Sequence, residues 1–242
     1  MIAPLFKGKL CARPAVSDVD FAAVAALQHQ CFGAGAVAEG DGFNALSTQI
    51  LVEDTKAGRV LCCYRLQVLE GGELRRSYAS QYYGLAKLEA FEGRMLELGR
   101  FCIAPACRDP DVLRLAWAVM TEVVDRLDVQ MLFGCSSFAG VESDIYHDSF
   151  ALLRARHLAP ACWSPGIMAP EVFEFAKELQ RAPNVAKAWR EMPPLLRTYL
   201  MMGGWVSDHA VVDRQMNTLH VFTGVEVAVI PEQRKRLLRA LV

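Results

Sequence analysis

Glu97-Leu98-Gly99-Arg100-Phe101-Cys102-Ile103 is the stretch on which the fold turns. A carboxylate and a guanidinium stand three residues apart, with a glycine between them, inside an apolar run over residues 95–104. Such a run reads as an inner strand, and inner strands carry charges only when these are paired or used. Strict alternation puts Glu97 and Arg100 on opposite faces. A bulge at Gly99 adds one residue, returns both side chains to one face and opens the ladder locally. On spacing alone two readings stay open: a structural ion pair at a sheet edge, or a charged break in the sheet that does chemistry.

Working outward, residues 107–111 form a polar turn containing Pro110, and 112–127 have the clearest helical period in the chain. Val112, Leu115, Ala116, Val119, Val123 and Leu127 make its apolar face. Residues 129–135 read as a short apolar strand, and Ser143 or Asp144 caps a helix to about Arg156. On the other side, 77–92 is helical or irregular, and 49–52 and 60–66 pair around a turn at 55–59. Ser17 or Asp18 caps a helix to Phe32, with Phe21, Val24, Gln28, Cys31 and Phe32 near one stripe, and 33–42 is a Gly/Ala loop. In the last third, 170–181 and 193–202 read as helices, 219–230 as a strand and 231–241 as a short basic helix. Strands alternating with helices give an α/β (α+β) class. No low-complexity linker interrupts 1–242, so one domain is expected: a core over about 15–160 and a C-terminal extension over 161–242 packed on it.

Composition narrows the class. The chain has 242 residues, 53% of them hydrophobic, and a net charge of −1, so it can bury a large core and has no global attraction for nucleic acid. Mean hydropathy is +0.19, yet no apolar run reaches the roughly 18–20 residues of a membrane-spanning helix. Residues 1–10 lack the apolar core of a signal peptide. The expectation is a cytoplasmic protein that rests on the inner face of a membrane. Eight cysteines contain no C-x-x-C, so they read as buried small hydrophobes rather than as disulfides or a metal site.

Several stretches share an order with a known family. They are Asp41-Gly42-Phe43-Asn44, Leu51-Val52-Glu53-Asp54, Arg59 to Leu66, Tyr82-Tyr83, Glu97 to Ile103, Arg108-Asp109 and Leu132 to Ser137. Pro193 to Tyr199, Gly204-Trp205-Val206 and Ala210 to Thr218 continue it. In this order the chain resembles the hemolysin-like branch of the GNAT superfamily of N-acyltransferases, the branch that begins ornithine-lipid synthesis. The resemblance implies a mixed central sheet flanked by helices and splayed at the Glu97–Ile103 strand. It implies transfer of a 3-hydroxyacyl group from acyl carrier protein to the α-amino group of ornithine, with no tightly bound cofactor. Two positions depart from it: Asn44 stands where an acid is usual and Gln49 where a histidine is usual. A neutral amide suits a neutral acceptor such as glutamine as well as ornithine. Two further functions remain open on the sequence: an acyl-homoserine-lactone-type synthase and an inactive homologue that binds acyl carrier protein.

The chemistry assigns expected roles. The amine must lose a proton before it attacks a thioester, and Glu97 is the candidate base. Arg100 holds Glu97 or binds the acceptor's α-carboxylate. Backbone N–H groups around Phe101, Cys102 and Ile103 are the resemblance-implied donors to the oxyanion. Arg108 would meet the pantetheine phosphate. Its loop has no glycine and carries Asp109 and Asp111, which disfavours the pyrophosphate of coenzyme A. Ser136 and Ser137, after the strand ending at Cys135, are expected at the thioester. Asp41, Asn44, Asp54 and Arg65 are expected at the amino-acid pocket. Acidic carrier protein would dock on cations among Arg75, Arg76, Arg94, Arg154, Arg156 and the tail, and residues 231–242 would touch the membrane.

Overall fold

The computed structural model describes residues 2–33 and 42–240. In chain order its elements are β1 (Leu5–Lys7), β2 (Leu10–Pro14), α1 (Asp18–Phe32), a single turn α2 (Phe43–Leu46), β3 (Thr48–Asp54), β4 (Arg59–Leu69) and β5 (Tyr83–Gly84). Then come β6 (Arg94–Ile103), α3 (Pro110–Leu127), β7 (Val129–Ala139), α4 (His147–Arg156), β8 (Gly166–Ile167), β9 (Val172–Phe173) and α5 (Phe175–Glu178). The chain continues with α6 (Val185–Glu191), α7 (Pro194–Met201), β10 (Trp205–Val206), β11 (Ala210–Asp213), β12 (Thr218–Glu226) and α8 (Glu232–Arg239). Two compact units result, each discontinuous in sequence. The first comprises Met1–Val68, Leu96–Val129 and Glu232–Val242, the second Leu69–Met95 and Gln130–Pro231.

In the first unit the strands lie in the order β1-β2-β3-β4-β6. The β1–β2, β2–β3 and β3–β4 pairs are antiparallel, with Gln49 opposite Arg65 and Asp54 opposite Arg59. Helix α1 starts where the sequence predicts. Ser17 accepts from the Asp20 N–H, and the Asp20 carboxylate accepts from the Ser17 N–H, which closes a capping box. Arg13 grips the same carboxylate through two nitrogens at 2.7 and 2.9 Å, and this holds the Asp20 carboxyl far below its usual range. The buried face of α1 is Asp20, Val24, Leu27 and Gln28. Phe21 lies on its flank and is 41% exposed, which corrects the expected stripe. On one face of the sheet Val24 and Leu27 pack with Ala15, Leu51, Cys63 and Cys102. On the other, α3 buries Val112, Leu115, Ala116, Val119 and Val123, and the Tyr64 hydroxyl donates to the Ala116 carbonyl at 2.9 Å. Asp109 caps α3 and Pro110 opens it.

In the second unit β7-β12-β11-β9 form an antiparallel sheet, with β10 also on β12. A parallel bridge joins Leu158 to Val206. Phe138, Phe150, Phe175 and Leu196 fill one core, and Tyr83, Phe133, Trp205 and Phe222 fill another. Strand β7 does not stop at Cys135. Nine paired positions on β12, from Glu226 back to Thr218, carry it through Ser136 and Ser137 to Ala139. The expected helix over 170–181 shrinks to α5, because pairing with β11 takes Val172 and Phe173 into β9. The strand expected over 219–230 ends at Glu226. Among the described residues no helix is long and apolar enough to cross a membrane.

Candidate active site

Side-chain contacts across β4 and β6 establish a bulge. A Cβ placed on Gly99 would lie 2.9 Å from Arg65 Nε. The Cys102 Sγ lies 3.4 Å from the Cys63 Sγ. Arg65 and Cys63 are two apart on β4 and so share a face. Positions 99 and 102 therefore also share a face although they are three apart, which needs one extra residue in β6. That residue is Arg100, whose φ is +54°. The sequence points to Gly99 as the bulge; the structure puts the left-handed backbone on Arg100 and uses Gly99 for its missing Cβ. Only a bare Cα lets the Arg65 side chain lie against the strand there.

This parity places Glu97 on the same face as Gly99 and Arg65, the face that α1 covers. Glu97 is 5% exposed and Arg65 3%. The Arg100 guanidinium reaches that face too, 6.0 Å from the centre of the Phe32 ring at the end of α1. Arg65 Nη1 donates to Asn44 Oδ1 at 3.3 Å, and its guanidinium lies over the Phe43 ring at 5.5 Å. One carboxylate, two guanidinium groups and one neutral amide thus share one face beside a left-handed break in a strand. Phe101 turns the other way and stacks on Tyr64 at 5.3 Å. The backbone carbonyl of Ile103 accepts from the Cys31 thiol at 3.5 Å. Burial pushes the Cys31 thiol up to about 12, and the Cys63 contact together with burial drives Cys102 higher still, so neither is a thiolate nucleophile.

Other expected residues fall elsewhere. Asp41 lies outside the described residues. Asp54 accepts from the Lys56 and Ala57 N–H groups at 3.1 Å and pairs with Lys9 at 2.8 Å, which holds its carboxyl below the usual range. It sits opposite Arg59, six residues or about 20 Å along β4 from Arg65, so the structure makes it a hairpin residue and separates it from Asn44 and Arg65. Arg108 is exposed and folds onto its own loop, donating to the Pro105 and Cys107 carbonyls. In the second unit Ser136 is buried and accepts from the Thr223 hydroxyl at 2.9 Å, whereas Ser137 is exposed; both are strand residues rather than post-strand ones. The expected docking cations are partly neutralised: Arg76 pairs with Glu73 at 2.6 Å, Arg94 with Glu70 at 3.7 Å and Arg239 with Asp125 at 2.9 Å.

A cleft of about 650 Å³ opens in the first unit, walled by Val16, Phe21, Val123 and Leu127 and floored by Asn44 and Gln49 among others. Sequence reasoning missed the cleft and the rings under the two guanidinium groups. Phe43 beside Asn44 was the available signal for one of them.

A model described as an acetyltransferase (GNAT) domain matches residues 25–118. An L-ornithine N(alpha)-acyltransferase of Rhodobacter capsulatus is 31% identical, over 81% of this chain and 78% of the relative. One of Brucella abortus is 27% identical, over 76% of this chain and 68% of the relative. Among solved structures, FeeM, an N-acyl amino acid synthase from uncultured soil microbes, superposes with a TM-score of 0.51 at 11% identity, covering 99% of both chains. A GphF GNAT-like decarboxylase in complex with isobutyryl-CoA gives 0.50 at 15% identity, covering 89% of this chain and 98% of that one. These two likenesses show the fold, and the expected GNAT-like α/β architecture holds.

Proposed function

From the premise that this chain belongs to the L-ornithine N(alpha)-acyltransferase family and is an acyltransferase, we propose that it moves a 3-hydroxyacyl group from acyl carrier protein to the α-amino group of ornithine, giving a lyso-ornithine lipid. The observation that carries the reading is the buried Glu97 beside the Arg100 bulge, on one face with Arg65. In this reading Glu97 takes a proton from the substrate ammonium, directly or through water. The freed lone pair attacks the thioester carbonyl and the C–N bond forms. Backbone N–H groups of the Arg100–Ile103 stretch hold the oxyanion. On collapse the C–S bond breaks, and the second amine proton goes to the departing thiolate. Arg65, steadied by Asn44 and Phe43, receives the α-carboxylate; Arg100 positions Glu97 or shares that carboxylate.

Carrier protein, rather than coenzyme A, suits the start of α3. Asp109 already caps that helix and its carboxylate accepts from the Asp111 N–H, so a pyrophosphate meets an acid where it needs donors. Arg108, exposed beside it, suffices for one phosphodiester. The α8 helix, with Leu237 and Arg236 exposed, would rest on the anionic inner face of a membrane that receives the product. In this reading residues 1–242 form one acyltransferase domain, with 161–242 as the extension of the 15–160 core.

The test is turnover of 3-hydroxyhexadecanoyl carrier protein with ornithine, read by mass spectrometry of the lipid formed. Glu97→Gln is expected to lower kcat at least 100-fold, the usual scale for a lost general base. Near-normal turnover by that variant across the pH range removes Glu97 from the mechanism. A head-group mass other than that of ornithine reassigns the acceptor.

A further inference from the structure

The cleft beside Asn44 and Gln49 is tied to the candidate site by two independent links. Asn44, on its floor, accepts the hydrogen bond from Arg65. Gln49, also on its floor, is the residue directly across the ladder from Arg65. The Ala15 N–H donates to the Gln49 carbonyl at 2.8 Å, so the cleft continues from Gln49 across the end of β2. Its groups change character along that path. At the Arg65 end stand neutral amides and hydroxyls: Asn44, Ser47, Thr48 and Gln49. Beyond them the wall is mostly hydrocarbon, from Val16 and Phe21 to Val123 and Leu127, with one cation, Arg126, beside Leu127. Two apolar side chains of the lining are unusually open to solvent: Val16 is 78% exposed and Phe21 41%. Clustered exposed apolar side chains around a concavity mark a binding surface rather than ordinary exterior. Among the lining residues no carboxylate occurs, so the cleft offers nothing to a cationic side chain.

We propose that this cleft is the subsite for the acyl chain, and that it reads a 3-hydroxyl at its polar floor and hydrocarbon along its wall. The inference rests on the acyl-transfer reading above and adds to it the residues that set donor specificity. A 3-hydroxyacyl group has the same order of polarity: reacting carbon, one neutral hydroxyl, then methylenes. Gln49, on the same face as Arg65, meets the hydroxyl with an amide that both donates and accepts. Each methylene that leaves water for the wall strengthens binding roughly fourfold until the cleft is full. Volume supports one chain, since clefts of a few hundred Å³ hold ligands of this size.

Binding of N-(3-hydroxyacyl)-ornithine probes with four-carbon and sixteen-carbon chains, measured by calorimetry on the whole protein, tests this. Ala45 is an exposed cleft residue, so Ala45→Trp fills the space without disturbing the core. Ala45→Trp is expected to weaken the sixteen-carbon probe tenfold or more and the four-carbon probe less than twofold. Gln49→Leu is expected to cut the preference for the 3-hydroxylated over the unsubstituted sixteen-carbon probe about tenfold, the scale of one hydrogen bond. Equal losses for both chain lengths, or none, overturn the assignment, as does a hydroxyl preference that survives Gln49→Leu. Val16→Lys, at the exposed rim, supplies a second variant with the same expected chain-length bias. The probes report binding alone. Absence of turnover in wild type would therefore sink the proposed reaction while the cleft result stood.

Discussion

Arg100 is the residue that most repays attention to its backbone. A left-handed φ costs a non-glycine residue about 1 kcal/mol, and such strain persists where surrounding structure holds it. Here the hold is the packing of Gly99 on Arg65 and of Cys102 on Cys63. Glycine relaxes the strain but has no guanidinium. Arg100→Gly is therefore expected to leave the urea midpoint unchanged or raised, and to lower kcat/KM at least tenfold. A stability loss above about 1 kcal/mol would mean that the side chain, not the backbone, is what the fold needs. The sequence carried much of this: an acid and a base three apart around a glycine already imply an added residue. It could not say which residue takes the unusual dihedral, because that depends on what packs against Gly99 from the next strand. Nor could it separate Asp54 from Arg65, since only the β3–β4 register shows them to be about 20 Å apart.

At the scale of elements, local signals were read best where they stand alone. Ser17 with Asp20 opens α1, and the β3–β4 hairpin turns where Asp54 supplies an Asx turn; α3 begins two residues before the expected Val112, at Pro110 behind the Asp109 cap. Ser17→Ala removes one half of a capping box and is expected to lower stability by about 1 kcal/mol, seen as a lower urea midpoint with an unchanged slope. An unchanged midpoint would assign α1's start to the Arg13–Asp20 pair instead. Elements that depend on distant partners were not legible. Strands β1 and β2 are three and five residues long, with a glycine turn and cations that mask any period. The Ser136-Ser137 pair looks like a loop by composition and becomes strand because β12 lies alongside. The α6 helix was missed for want of a long period, although Asn184 caps it.

For the molecule as a whole, the two units differ in how they carry buried titratable groups. In the second unit His220 is 2% exposed, its Nδ1 is 3.0 Å from the Tyr83 hydroxyl, and His209 and Asp213 lie nearby. Burial lowers its pKa from 6.5 to about 4, and burial also lowers that of His157 in the same unit. A depressed imidazole binds its proton more readily in the unfolded chain. Stability is therefore full above pH 6.5 and falls as the pH drops through the window down to about 4, by about 3 kcal/mol for His220. In the first unit the buried depressed groups are carboxylates, Asp20 and Asp54, whose contribution is lost only below about pH 4, as is that of the buried Asp148 in the second. Amide exchange near pH 4.5 is expected to open the second unit before the first. His220→Gln, which removes the titration, is expected to flatten the loss between pH 6.5 and 4; a profile like that of wild type would assign it to other groups.

Helix α8 lies against α3 and locks there through the paired Arg239–Asp125 contacts, although roughly a hundred residues of the second unit separate the two in the chain. At the pace of a ribosome, on the order of ten residues per second, α3 leaves the machinery about ten seconds before its partner exists. During that interval the outer side of α3 is bare, while its inner side already covers the sheet of the first unit. The rate of synthesis therefore sets how long that side of α3 waits for its cover.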